Sequence, residues 1–302
     1  SSSVTKISRA AVRSVAASLP RDLFGQLDSG EAVSMIHAQN FGGSGLDYLP
    51  EFRSPVLITG GHVTGKQLYR AVRFRLDQPY WTLHLSDGER AVVPDDGSVI
   101  SVKYRDAVPW LVYECADPTD LRGLTQRVVS GCAVLGWLMW DQRIVSVETE
   151  VQIDAASRWL SVRGRQFART AKSEPYAEFL PRTELTVDLI ARWIALNSRL
   201  DGLAWAVHEL RKGAVQVQTI LGTSLIEGYH RRLDNIYDQK KVVTRPRKGG
   251  GAPVQKREPK SFYDRTEDVL GEVADVVPDL IAAIPDCARV LTNARNDIAH
   301  HS

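Results

Sequence analysis

Between Leu68 and Leu76 the chain reads Leu-Tyr-Arg-Ala-Val-Arg-Phe-Arg-Leu, and this alternation restricts the fold more than any other feature. Arg70, Val72, Phe74 and Leu76 fall on one pleat face, with Ala71, Arg73 and Arg75 on the other. That two-residue period belongs to a half-exposed antiparallel strand, since a helix would scatter the same residues round its axis. Similar runs lie at Val56–Ile58, Trp81–Leu85, Val99–Val102 and Trp110–Tyr113, with turn chemistry at Ser86-Asp87-Gly88 and Asp95-Asp96-Gly97. Sheet is therefore predicted from about residue 52 to 114. Asp117-Pro118-Thr119-Asp120 reads as a helix start, continued at spacings of three and four by Leu121, Leu124, Val128, Cys132 and Leu135. Two more strands are predicted, Ile144 to Ile153 and Trp159 to Val162. Ahead of the sheet, Val33–Ala38 alternates weakly, and Ile7, Ala11, Val12 and Val15 suit a short helix ended by Leu19-Pro20.

From Thr186 the period changes. Val187, Ile190, Ile194, Leu200, Leu203 and Val207 form one helical stripe, broken near Asp201-Gly202, and Val217, Ile220, Leu221, Leu225, Ile226, Leu233 and Ile236 form another. Val269, Val273, Val276, Leu280 and Ile284 resume it, with Pro278 and Pro285 kinking or splitting the helices. Residues 238–260 interrupt this pattern with eight Lys or Arg against two acids, three glycines in a row and three prolines. The segment reads as a basic flexible loop, and 249–256 as dispensable for folding. The fold class is thus α+β. A β-rich domain of sheet or sandwich type spans 1–185 and a helical domain 186–302, the junction lying between about 175 and 195.

Composition excludes little, because a net charge of +2 leaves any anionic partner to local patches. Three widely separated cysteines, Cys115, Cys132 and Cys287, form neither a disulfide framework nor a zinc cluster and suit a reducing, cytoplasmic setting. No leader or long apolar run suggests secretion or membrane spanning. Gly60-Gly61-His62-Val63-Thr64-Gly65-Lys66 matches a phosphate-loop spacing, but Gln67 stands where Ser or Thr would hold magnesium, and a strand follows in place of a helix. It reads as a glycine hairpin.

The chemistry concentrates at the end, Leu291 to Ser302, where Val290, Leu291, Ala294 and Ile298 recur at helical spacing. Asn296 and His300 are four apart and share a face. Arg295 lies about 140° round the axis from His300, within reach of a long guanidinium arm. A permanent cation, an amide and a group titrating near neutrality suit phosphodiester cleavage. The imidazole moves a proton, the guanidinium holds the phosphorane charge, and the amide orients a neighbour.

The run Arg295-Asn296-Asp297-Ile298-Ala299-His300 resembles the R-N-x-x-x-H signature of HEPN domains, all-helical modules that often act as metal-independent RNases. Ser224-Leu225-Ile226-Glu227-Gly228-Tyr229-His230-Arg231-Arg232 is similar to the helix preceding that signature in HEPN proteins of the ApeA type, which serve in bacterial anti-phage defence. Trp193-Ile194-Ala195-Leu196 resembles the opening of their helical region, after a β-rich domain. The resemblance implies an endoribonuclease acting by 2′-OH transesterification, a toxin of abortive infection needing neither cofactor nor metal. It implies Arg295, Asn296 and His300 as catalytic residues, with Glu227, His230 and Arg231 supporting them. It also implies a homodimer or higher homo-oligomer, RNA (tRNA included) as substrate, and a phage protein as trigger. Lys240, Lys241, Arg245, Arg247 and Lys248 are the expected RNA-binding residues, because phosphate neutralisation supplies most sequence-independent affinity. Beside these stand blander readings: an ordinary Glu227–Arg231 ion pair, a core His230, and a non-catalytic platform whose β domain binds a viral or cellular protein.

Overall fold

The computed structural model describes residues 6–7, 20–42, 51–77, 81–140, 144–164, 180–209, 214–246 and 252–301. By contact density the chain divides into two units, Ser1–Ala195 and Leu196–Ser302. The first carries a large antiparallel sheet. Its strands are β1 (Lys6–Ile7), β2 (Arg21–Gln26), β3 (Ala32–Gly42), β4 (Glu51–Arg53), β5 (Val56–Thr59), β6 (Leu68–Leu76), β7 (Arg90–Val92), β8 (Val99–Arg105), β9 (Val108–Asp120), β10 (Ser146–Gln152) and β11 (Leu160–Gly164). They run in the order β1-β2-β3-β5-β11-β10-β6-β9-β8-β7, with β4 paired to β3.

The alternation of β6 does its work: Val72, Phe74 and Leu76 are buried, while Arg73 and Arg75 turn outward to Glu150 and Glu148 of β10. Arg70, which strict alternation puts on the core face, is exposed, because the register with β9 shifts between Tyr69 and Ala71. Trp81–Leu85, predicted as strand, forms helical and other turns in which Trp81 stacks on Trp140 at 3.9 Å. The segment is used to fill the core, not to extend the sheet. Ile7 lies in strand β1, against the predicted helix; residues 8–19, where that helix was placed, lie outside the described residues. The 60–66 glycine segment is no hairpin either. β5 and β6 do not pair, since β11 and β10 lie between them, and the segment crosses over. Asp22 holds it, accepting from Gly65 N at 2.7 Å and His37 N at 3.1 Å.

Asp120 caps the predicted helix, accepting from Gly123 N at 2.6 Å. A first turn, α1 (Leu121–Gly123), leads into a π-helical stretch, Leu124–Val129, and then α2 (Ser130–Trp140). α2 is buried nearly all round, so it runs through the core and does not cover it. α3 (Val187–Leu200) sends Val187, Ile190, Ala191 and Ile194 into the same core, and the Trp193 indole donates to Gly131 O at 2.7 Å. The junction expected at 185/186 therefore precedes a helix whose first turns pack with the first unit. The contact division falls at Ala195/Leu196.

The second unit holds the end of α3, α4 (Leu203–Glu209), α5 (Val215–Arg232), α6 (Phe262–Val273), α7 (Pro278–Ala283) and α8 (Cys287–His301). Asp201 and Gly202, both at positive φ, break α3 from α4. Pro278 starts α7 at its first turn, as its missing N–H allows. The unit is not helical throughout. Strands β12 (Lys240–Arg245) and β13 (Val254–Pro259) pair antiparallel across the segment expected to be a flexible loop. Two acids on α6, outside that segment, explain the difference. Lys241 meets Asp264 at 2.7 Å and Lys260 meets Asp268 at 2.6 Å. Within the hairpin, Arg245 pairs with Glu258 and Arg257 with Asp238, each at 2.7 Å. Deleting 249–256 would thus remove the first half of β13. Gly249–Gly251 themselves lie outside the described residues.

Candidate functional site

Three helices of the second unit meet around the Glu227 carboxylate. Glu227 sits on α5 with 19% of its side chain exposed. One oxygen, Oε1, accepts from Arg231 Nη2 at 2.6 Å, one helical turn on. The other, Oε2, accepts from Arg295 Nη2 of α8 at 3.0 Å. Burial alone would raise the Glu227 carboxyl, but the Arg231 hydrogen bond and the charges of Arg295, Arg231 and Arg265 outweigh it and hold it below its ordinary value. Arg295 is half-exposed, 37% by side chain, and its guanidinium carbon stands 4.7 Å from the centroid of the Phe262 ring on α6.

α8 turns Ala288 fully inward, with Leu291, Arg295 and Ile298 half-buried along the same side, while Val290 is exposed. Arg295 is thus at the margin of the packed face, where a long side chain keeps its stem covered and its head wet. Asn296 and Asp297 are exposed. The backbone of His300 continues the helix, and its side chain lies outside the described residues. Of the expected catalytic residues, the structure brings Arg295 to Glu227 and leaves Asn296 on the open side.

His230 takes the bland reading. It is fully buried, stacked on Tyr237 at 4.4 Å, with both ring nitrogens engaged. Arg265 Nη1 lies 2.9 Å from Nδ1 and Asp268 Oδ2 lies 2.7 Å from Nε2. A guanidinium only donates, so Nδ1 accepts and the ring hydrogen sits on Nε2, directed at the carboxylate. Arg265 also donates to Gln239, whose own amide donates to His230 O at 2.9 Å, and Tyr237 donates to Glu272. Burial, with the nearby Arg231 charge, pulls Arg265 below the ordinary guanidinium range. Burial would raise Asp268, but the Lys260 and His230 hydrogen bonds hold it low.

Arg265, Asp268, Gln239, Tyr237 and Phe262 escaped the sequence reading. A signal existed: Arg265 lies in one row with Phe262 and Val269, a charge at an apolar position of an amphipathic helix. Among the expected RNA-binding residues, Lys240 and Arg245 are exposed, Lys241 is tied to α6, and Arg247 and Lys248 lie outside the described residues. Elsewhere, burial pushes the Cys115 thiol up to about 11 and that of Cys132 up to about 12, so neither is a ready nucleophile. No group of three His, Cys, Asp or Glu is placed to share a metal among the described residues, and no described helix is long and apolar enough to cross a membrane. No protein-family model, curated protein or solved structure matches the chain.

Proposed function

We propose that the second unit is the catalytic part of a metal-independent endoribonuclease of the HEPN type, acting as a cytoplasmic toxin in anti-phage defence under control of the β-rich unit. One observation carries the reading. Arg295, the first residue of the R-N-x-x-x-H run, is half-exposed and held by Glu227, from the other stretch that resembles the family. The guanidinium is oriented by one edge and keeps exposed surface for a phosphate. In the proposed reaction the ribose 2′-OH attacks the adjacent phosphorus, the bond to the 5′-oxygen breaks, and a 2′,3′-cyclic phosphate and a 5′-hydroxyl result. His300 moves the proton, Arg295 stabilises the phosphorane, which carries one more negative charge than the diester, and Asn296 positions a neighbour. Exposed Lys240 and Arg245 guide the RNA backbone. The homodimer and the phage-protein trigger come with the family resemblance.

The test is incubation of the purified protein with total RNA in excess chelator, beside Arg295→Ala, Arg295→Lys and His300→Ala. His300→Ala is expected to lose about a hundred- to ten-thousand-fold in cleavage rate, and the Arg295 variants to be severely impaired, each with only a small change in Tm. Full activity in His300→Ala, or a loss that tracks unfolding, defeats the assignment. The platform reading draws on the same ion pair, since a guanidinium committed to Glu227 can be purely structural. It wins if the wild-type chain binds a partner and leaves RNA intact.

A further inference from the structure

The guanidinium of Arg295 is restrained in two directions by two different helices. Glu227 holds one edge, and the guanidinium carbon stands over the Phe262 ring, 4.7 Å from its centroid. An ion pair at 3.0 Å fixes a distance but lets a fork pivot about the shared oxygen. A ring on a second helix limits that pivot, because swinging the head group off the ring loses the attraction of its negative face. We infer that Phe262 is a positioning residue that, with Glu227, fixes where Arg295 presents its remaining N–H groups to a phosphate oxygen. This deepens the ribonuclease reading and rests on it.

Phe262 is itself held firmly. It is 9% exposed and opens α6, immediately after the N-cap Ser261. Ser261 and Asp264 close a capping box, with Ser261 N to Asp264 Oδ2 at 2.7 Å, and Lys241 of β12 grips the same Asp264 at 2.7 Å. The hairpin strand, the cap and the ring therefore form one chain of contacts that ends at Arg295. Phe262 touches no substrate in this scheme. Its effect passes through the orientation of the guanidinium, so it governs the chemical step more than RNA affinity.

The experiment compares the full chain with Phe262→Leu and Phe262→Tyr, and Phe262→Met replaces the leucine variant if that fails to fold. Tm, kcat and KM for an RNA oligonucleotide in excess chelator are measured, together with the Arg295 Nε–H resonance, identified by its loss in Arg295→Lys. Phe262→Leu is expected to lower kcat roughly two- to thirtyfold, the range of a cation–π contact from exposed to desolvated, with KM little changed. The ring-shifted Arg295 resonance should move toward that of a free arginine, and Phe262→Tyr should restore both. An unchanged kcat and resonance in Phe262→Leu, or a tyrosine variant as impaired as the leucine one, overturns the inference. If the wild-type chain leaves RNA intact, the ribonuclease reading falls. The resonance then decides alone: moved in Phe262→Leu and kept in Phe262→Tyr sustains the positioning, and unmoved in Phe262→Leu ends it.

Discussion

A histidine between an arginine and an aspartate illustrates how little a residue's identity says without its partners. His230→Ala removes an acceptor from buried Arg265 and a donor to Asp268, and leaves a hole against Tyr237. Orphaned buried polar groups of this kind cost about 1–3 kcal/mol each. The expected result is a protein several kilocalories less stable, seen as a lower urea midpoint at unchanged m, and not a folded enzyme with a missing proton carrier. In the β8–β9 turn, Asp106 and Ala107 sit at φ 52° and 61°, with Arg105 opposite Val108. The left-handed conformation costs Ala roughly 1–2 kcal/mol and glycine nothing, which the greater chain entropy of glycine partly offsets. Ala107→Gly should therefore raise the urea midpoint by the equivalent of about 1 kcal/mol. Neither feature was legible in the sequence. Asp-Ala lacks the glycine that marks such a turn, and the hydrogen-bond partners of His230 outside its own helix lie 9 to 38 residues away along the chain.

Helices and hairpins were legible where one local rule decided them, and illegible where distant charges did. Asp120 as a cap and the breaks at Asp201-Gly202 and Pro278 follow from short-range sterics and hydrogen bonding. The β12–β13 hairpin was read as a loop because of its excess positive charge, three consecutive glycines and three prolines, and two acids that anchor it belong to the helix after it. The π-helical stretch was equally invisible. Its Arg127 pairs with Asp96, which also accepts from Ser98 N at 2.8 Å and from the Tyr113 hydroxyl at 3.1 Å. Burial would raise the Asp96 carboxyl, but the Ser98 hydrogen bond and the Arg127 charge outweigh it and hold it below its ordinary value. The folded state then binds fewer protons than the unfolded chain, so this stabilisation is complete above about pH 4, the unfolded range of aspartate. It is lost as pH falls through the lower folded value. Asp96→Asn should flatten the acid limb of a Tm-against-pH curve and lower Tm at neutral pH. An acid limb unchanged from wild type would refute the assignment.

At the scale of the whole chain, the boundary that composition suggests is not the boundary that packing draws. Residues 175 and 181 are prolines, but Val187, Ile190, Ala191 and Ile194 are all at most 2% exposed within the first unit's core. Burying such side chains is worth about 1.5–3 kcal/mol for each large one, against a total stability of roughly 5–15 kcal/mol. A fragment ending at 200 is therefore expected to unfold cooperatively in urea, and one ending at 185 to show no cooperative transition. The order of the sheet has a further consequence, in time. Strands β1 to β5 can pair as soon as they leave the ribosome, and so can β6 to β9, but among the described strands the two groups are joined in the sheet through β10 and β11. Thr59 meets Ser161, a partner made about 100 residues later, so at about 5–20 residues per second β5 waits roughly 5–20 s with an open edge. During synthesis the chain passes through a stage with two incomplete sheets. The last hairpin of this sheet to be translated is the clasp that joins them, and a ribosome stalled before Ser146 leaves both edges unguarded.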